Sequence, residues 1–252
     1  MKKRQSLSLA LIGLAVVACT SEKPPNTTDE RSTADLYVMK AVQYMSSGRL
    51  DVALQDLKRA LELDSSSVEA HNAMGVLYER LDQPAQAEEQ FKRALSLDEH
   101  NLDVAVNYGR LLCNQNNYEQ AMKYFRAVLD DKLYNTPWIP LTNVGICLKK
   151  QGRIREAEDY LRKALEANSA FPPALLEMAK LSLENGNALS ARAFLQRYEA
   201  VGPATAESLW FGVQTERALG NSRDAEIYLK RLRRYFPESV EAKRTHPGQN
   251  AP

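Results

Sequence analysis

Apolar and polar positions recur with a nearly constant spacing from residue 34 onward. An alanine returns after 34, 34, 36, 34 and 34 residues, at Ala53, Ala87, Ala121, Ala157, Ala191 and Ala225. Five residues before each alanine stands a turn-forming residue, namely Gly48, Asp82, Asn116, Gly152, Gly186 or Gly220. Four residues after each alanine, on the same helix face, stands Leu57, Phe91, Phe125, Leu161, Leu195 or Leu229. Because glycine, asparagine and aspartate end helices at tight bends, the pattern predicts six helix–turn–helix units.

A second apolar set precedes each turn, as in Met74-Gly75 with Tyr78 and Tyr108-Gly109 with Leu112. Together the two sets resemble the tetratricopeptide repeat, in which small residues let the two helices of a pair approach closely. The resemblance covers residues 34–239 in six units of about 34–67, 68–101, 102–137, 138–171, 172–205 and 206–239. It implies an all-α fold, a superhelical array of six tetratricopeptide repeats (an α-solenoid) that is stabilised by stacking of neighbouring units.

The third unit is two residues longer than its neighbours, and the extra length lies near Leu133 to Trp138. Pro137 and Pro140 bracket the start of the following helix, where proline is tolerated. The pattern predicts a longer loop with Trp138 packed over the seam between two units. A functional loop is the alternative, but the pattern favours a structural bend.

The first residues have the features of a bacterial secretory signal. Lys2, Lys3 and Arg4 precede an apolar run from Leu7 to Ala18, which is too short for the roughly 20 residues of a membrane-spanning helix. The small residues that lead into Cys19 resemble the lipobox of bacterial lipoproteins, in which the cysteine is lipidated and becomes the new N-terminus. The alternative is an ordinary signal peptide with an incidental cysteine.

The lipobox resemblance implies how the N-terminal part of the chain is organised. Residues 1–18 would be the signal peptide, and residues 19–33 would be the lipid anchor and a flexible tether without a large apolar residue. Residues 240–252 are expected to form a polar C-terminal tail. Cys19 is followed by Thr20 and not by the aspartate that tends to hold lipoproteins in the inner membrane of enteric-type bacteria. The resemblance therefore implies an outer-membrane lipoprotein that faces the periplasm.

Charge and composition argue against several functions. The chain has 33 Lys and Arg against 32 Asp and Glu; removing residues 1–18, with three basic residues, leaves 30 against 32, a net charge of −2. This balance gives no reason to expect a nucleic-acid partner. The three histidines stand in a helix (His71), an inter-repeat turn (His100) and the tail (His246), and no phosphate loop or metal-ligand motif occurs. We expect no enzymatic activity, no cofactor, no metal and no small-molecule substrate, and we expect His71 to have a packing role and not a catalytic one.

Two further cysteines, Cys113 and Cys147, fall on the first helices of the third and fourth units. In tetratricopeptide arrays these first helices lie side by side, so the resemblance brings the two thiols within reach. Because the periplasm is oxidising, a disulfide is favoured, and the chain-entropy relation gives it about 4 kcal/mol. The alternative is a pair of small buried apolar residues.

Partners of tetratricopeptide arrays bind to the concave face, which is lined by fixed positions of each first helix. Mapped on this sequence, those positions hold Val38, Val42 and Met45 in the first unit and Asn72 and Val76 in the second. Since contiguous exposed apolar surface marks partner sites, these five residues are predicted to bind a partner protein. The alternative is that the three residues of the first unit pack under the N-terminal linker.

The whole architecture is similar to the type IV pilus biogenesis lipoproteins of the PilW and PilF kind. Local stretches carry the resemblance as well, and they are residues 107–109, 117–121, 175–179 and 229–237. It implies that the lipid carries the array to the outer membrane, where the groove holds a subunit of the pilus secretin during localisation and multimer assembly. The alternatives are an adaptor for cell-wall (murein) enzymes and a structural lipoprotein without a dedicated client.

Overall fold

The computed structural model describes residues 28–245, and in this range all regular secondary structure is helical. Cys19, the signal peptide, most of the predicted tether and His246 lie outside these residues. The helices are α1 Thr28–Ser46, α2 Leu50–Leu63, α3 Val68–Arg80, α4 Pro84–Leu97, α5 Leu102–Asn114, α6 Tyr118–Asp130, α7 Trp138–Lys150, α8 Ile154–Ala167, α9 Pro172–Glu184, α10 Ala188–Val201, α11 Ala206–Ala218, α12 Ser222–Tyr235 and α13 Val240–Lys243.

The first twelve helices form six pairs, each with an odd-numbered helix packed on the even-numbered helix that follows it. Every odd-numbered helix also contacts the next odd-numbered helix, from α1 and α3 through to α9 and α11. This stacking makes one superhelical array whose inner face is built from odd-numbered helices, so the predicted fold of six tetratricopeptide repeats is confirmed. None of the helices within residues 28–245 combines the length and hydropathy that a bilayer crossing requires.

The turn inside each repeat is made by a residue with left-handed backbone, as the spacing of the turn residues predicts. The φ angles lie between 56° and 77° at Gly48, Asp82, Asn116, Gly152, Gly186 and Gly220. Glycine adopts this conformation without steric cost, and aspartate and asparagine tolerate it better than other residues. The sequence signal of the turns is therefore a direct consequence of backbone sterics.

Close approach of the two helices in a pair depends on small residues. A Cβ atom on Gly75 would lie 2.6 Å from the ring of Phe91, and one on Gly109 would lie 2.8 Å from the ring of Phe125. Both rings are completely buried. The repeated pairing of a glycine with a large apolar residue therefore fills the space between paired helices without a void.

Helix α1 begins earlier than the sequence pattern indicates. Residues 28–33 were expected to belong to a flexible tether, but they form the first turns of α1. Asp29 and Glu30 lie in the first turn, where negative charge stabilises a helix N-terminus, and the Thr33 hydroxyl donates a 2.8 Å hydrogen bond to the Asp29 carbonyl. The segment between Cys19 and the folded array is accordingly shorter than predicted.

The C-terminal end of the array also extends beyond the predicted boundary at residue 239. Residues 240–243 were expected to open a polar tail, but they form α13, which packs on α11 and α12. The Ser239 hydroxyl accepts a hydrogen bond from the Ala242 amide, and Ala242 is buried beside Leu209 and Leu232. The buried Ala242 and the helix-capping Ser239 thus help to close this end of the core.

Candidate functional site

All five residues predicted to bind a partner line one groove between α1 and α3. We call it the N-terminal groove, and its volume is about 400 Å³. The superhelix places the two helices side by side, so residues that are distant in sequence share this surface. The groove is lined by Val38, Val42, Met45, Ser46, Glu69, Asn72, Ala73, Val76 and Arg80.

The three apolar residues of α1 contribute to the groove unequally. Val42 is 49% exposed and stands at the rim, whereas Val38 and Met45 are only 9% and 5% exposed. The sequence-based interpretation of three exposed residues is therefore wrong for two of them. Val38 and Met45 lie seven residues apart on one helix face and pack in the same buried cluster as Ala73 of α3, so they form the groove floor.

One wall of the groove is fixed by a residue that the sequence analysis does not identify. The Arg80 guanidinium, at the end of α3, donates a 2.7 Å hydrogen bond to the main-chain carbonyl of Met45, near the end of α1. Carbonyl groups in the last turn of a helix lack intrahelical partners, and a cation there is stabilising. No sequence motif marks this contact, because its acceptor is a backbone atom 35 residues away.

Polar side chains continue the inner face from α3 to α5. The Asn107 amide group donates a 3.0 Å hydrogen bond to Oδ1 of Asn72. Arg110 forms an ion pair of 2.8 Å with Glu79, whose side chain is largely buried. Burial raises the pKa of Glu79, and the positive charge of Arg110 opposes that rise.

The C-terminal half of the inner face is occupied by ion pairs. Lys180 of α9 is buried and lies 2.6 Å from Glu177 and 2.5 Å from Glu207 of α11. On α7, Lys149 lies 2.8 Å from Glu184. These charges satisfy one another across α7, α9 and α11.

Cys113 and Cys147 are joined by a disulfide that links α5 to α7. Their Cα atoms lie 5.7 Å apart and both residues are buried. The bond connects the third repeat to the fourth across a sequence separation of 34 residues. It therefore ties together the two repeats that flank the longer loop.

The described histidines do not build a catalytic centre. His71 is buried, with Nδ1 2.8 Å from Oε1 of Gln90 and Nε2 3.2 Å from the carbonyl oxygen of Ser65, so its predicted packing role is confirmed. His100 is exposed in the turn before α5. Across residues 28–245 the structure brings together no three His, Cys, Asp or Glu side chains that could hold a metal ion.

Known families match this chain in the repeat region. A TPR repeat family matches residues 43–82, and a tetratricopeptide repeat family matches residues 80–133 and 148–210. The gap between the two latter segments, residues 134–147, holds the end of the longer loop and most of α7. Together the matched segments run from α1 to α11.

Three matches that span most of the chain are to two proteins of type IV pilus biogenesis. The type IV pilus assembly protein PilF of Pseudomonas aeruginosa is 30% identical over 235 residues, which are 92% of this chain and 93% of that protein. The crystal structure of PilW, described as a widely conserved type IV pilus biogenesis factor, is 32% identical with a TM-score of 0.67; the match covers 84% of this chain and 97% of that one. The solved structure of the Pseudomonas PilF is 29% identical with a TM-score of 0.64, over 86% and 97% of the two chains.

Proposed function

Because the chain belongs to the family of the type IV pilus assembly protein PilF, we propose that it binds a subunit of the pilus secretin and aids its localisation and multimer assembly at the outer membrane. Membership of this family assigns the protein to type IV pilus biogenesis. The observation that supports a binding role is the N-terminal groove, where one half-exposed valine, an apolar floor and an asparagine lie together.

The groove suits a hydrophobic strand or helix of a partner protein. Val42 and Val76 offer apolar contacts at the surface, and Asn72 adds an amide that can hydrogen-bond to a partner's backbone. A few well-packed residues at the centre of an interface carry most of its binding energy when the surrounding residues exclude water. In this mechanism the protein holds and delivers a subunit and carries out no chemical step.

Lipidated Cys19 would tie this activity to the outer membrane. Nine backbone steps separate Cys19 from Thr28, the first residue of α1, so the lipid and the helix can be at most about 30 Å apart. The groove lies in the first two repeats, which are nearest to the anchor in sequence. A subunit held there would therefore stay close to the membrane into which the secretin assembles.

The proposal is tested by isolating the tagged protein from detergent-solubilised envelope and identifying the proteins that accompany it by mass spectrometry. We expect the pilus secretin as the dominant partner and a lipid on the N-terminal peptide that begins at Cys19. Recovery of murein enzymes without secretin would contradict secretin binding and favour the cell-wall adaptor. Recovery of neither class would contradict both partner assignments.

A further inference from the structure

One position in the repeat is filled differently in the third unit. Eleven residues before the turn residue, five of the repeats carry a large side chain, which is Tyr37, His71, Leu141, Leu175 or Leu209. The third repeat carries Ala105 at this position. All six residues lie on odd-numbered helices, so their environments are directly comparable.

The second repeat shows what a large side chain does at this position. The His71 imidazole reaches from α3 to Gln90 of α4 and to the Ser65 carbonyl in the preceding turn, at 2.8 and 3.2 Å. The residues that correspond to Gln90 and Ser65 in the third repeat are Tyr124 and Glu99. Ala105 is too short to span the space between them.

A pocket of about 640 Å³ opens at this place. Ala105 forms part of its wall, together with Glu99 from the preceding turn and Tyr124 and Ala127 from α6. The pocket has more room than one leucine side chain needs, so residues on both sides of an inserted side chain can also enter its mouth. We call this space the Ala105 pocket.

The surroundings of the pocket are mainly acidic, with one exposed apolar neighbour. Glu99 and Asp131 line the pocket, and Lys123 of α6 is the one lysine or arginine that lines it. A second depression of about 360 Å³ shares His100, Asn101 and Leu102 with the first and is lined by Asp98 and Asp103. Its other wall is the longer loop, where Leu133 is 91% exposed.

From this geometry we propose that the Ala105 pocket binds a partner protein segment in which a leucine or aromatic side chain is flanked by lysine or arginine. The inserted side chain takes the place that Leu141, Leu175 and Leu209 fill in their own repeats. The flanking cations face the acidic rim, and Leu133 covers the segment from the side of the loop. This site lies on the third repeat, is separate from the N-terminal groove and does not depend on the identity of the groove's partner.

The test is a titration of the protein purified from the envelope, in detergent, with the blocked tripeptide N-acetyl-Lys-Leu-Lys-amide. Saturation-transfer NMR follows the leucine methyl groups of the peptide. We expect saturable binding that is at least tenfold weaker with Ala105→Leu, because the new side chain fills the pocket. We also expect binding at least threefold weaker with Glu99→Gln combined with Asp131→Asn, and at least threefold weaker with N-acetyl-Glu-Leu-Glu-amide.

The matched control is Ala218→Leu, which makes the same change at an exposed alanine at the end of the odd-numbered helix α11, away from the Ala105 pocket. It should bind the lysine peptide like the unmodified protein. Ala105→Leu should unfold at no lower temperature than the unmodified protein, since leucine fits this position in three other repeats. The proposal would be overturned if the Ala105→Leu protein bound the lysine peptide as tightly as the unmodified protein does. Loss of binding in the control, or no saturable binding by any of the proteins, would overturn it as well.

Discussion

At Glu79, burial and an ion pair act on the same carboxylate in opposite directions. Burial raises its pKa above the ordinary value of 4.5, while Arg110 at 2.8 Å lowers it. The folded protein therefore holds a proton on Glu79 more tightly than the unfolded chain does. As the pH rises through 4.5 toward the raised pKa, ionisation of this group costs folding free energy, and above that pKa the cost is constant.

This behaviour predicts how Glu79→Gln differs from the unmodified protein. The free energy of unfolding of the unmodified protein, relative to the variant, should decline as the pH rises from 4.5, with a slope of at most about 1.4 kcal/mol per pH unit. Urea unfolding followed by circular dichroism at a series of pH values measures the difference. If the unmodified protein instead became more stable relative to the variant over this range, Arg110 and not burial would set the direction of the pKa shift of Glu79.

At this scale the sequence predicts residues whose role depends on their own backbone or helix face. The turn residues are of this kind: Asp82 and Asn116 adopt left-handed φ angles just as the glycines do. The sequence does not predict the hydrogen bond from Arg80 to the Met45 carbonyl, because the identity of a side chain says nothing about a distant backbone acceptor. Ala105 could have been found from the sequence, since it is the small residue in a column of large ones.

At the scale of helices, the repeat spacing predicts the six helix pairs, because two helices and their two turns have a nearly constant length in residues. The limits of the array are predicted less well. Helix α1 extends back to Thr28 because two acidic residues in its first turn stabilise the helix N-terminus. Helix α13 forms beyond residue 239 because its one buried alanine packs against the core. Neither feature repeats, so no periodic signal reports it.

The disulfide between α5 and α7 gives a prediction for these helices. Replacing both Cys113 and Cys147 with alanine should lower the free energy of unfolding by about 2–4 kcal/mol, because the cross-link restricts the unfolded chain. Chemical unfolding with and without dithiothreitol measures this. The reductant should destabilise the unmodified protein and leave the double variant unchanged. Alkylation of both cysteines in protein unfolded without reductant would contradict the disulfide.

The whole molecule divides its inner face into two parts of different chemistry. The first two repeats present valines and Asn72 beside the charged Glu69 and Arg80, whereas ion pairs around Lys149 and Lys180 link α7, α9 and α11. The sequence identifies which residues point toward this face but not how deeply each one is buried. Val38 and Met45 became the groove floor because α3 packs against them, and this packing follows from the angle between repeats and not from the repeat pattern.

Capture of the secretin by the N-terminal groove, as proposed, is tested by comparing two substitutions in a secretin pull-down. Val42→Glu places a charge on the groove rim, and Val201→Glu is its matched control, since Val42 is 49% and Val201 48% exposed, the latter at the end of α10. We expect at least a tenfold loss of co-purified secretin with Val42→Glu and none with Val201→Glu, with unchanged unfolding midpoints for both. Undiminished capture by the Val42→Glu protein, or equal loss in both variants, would contradict the claim.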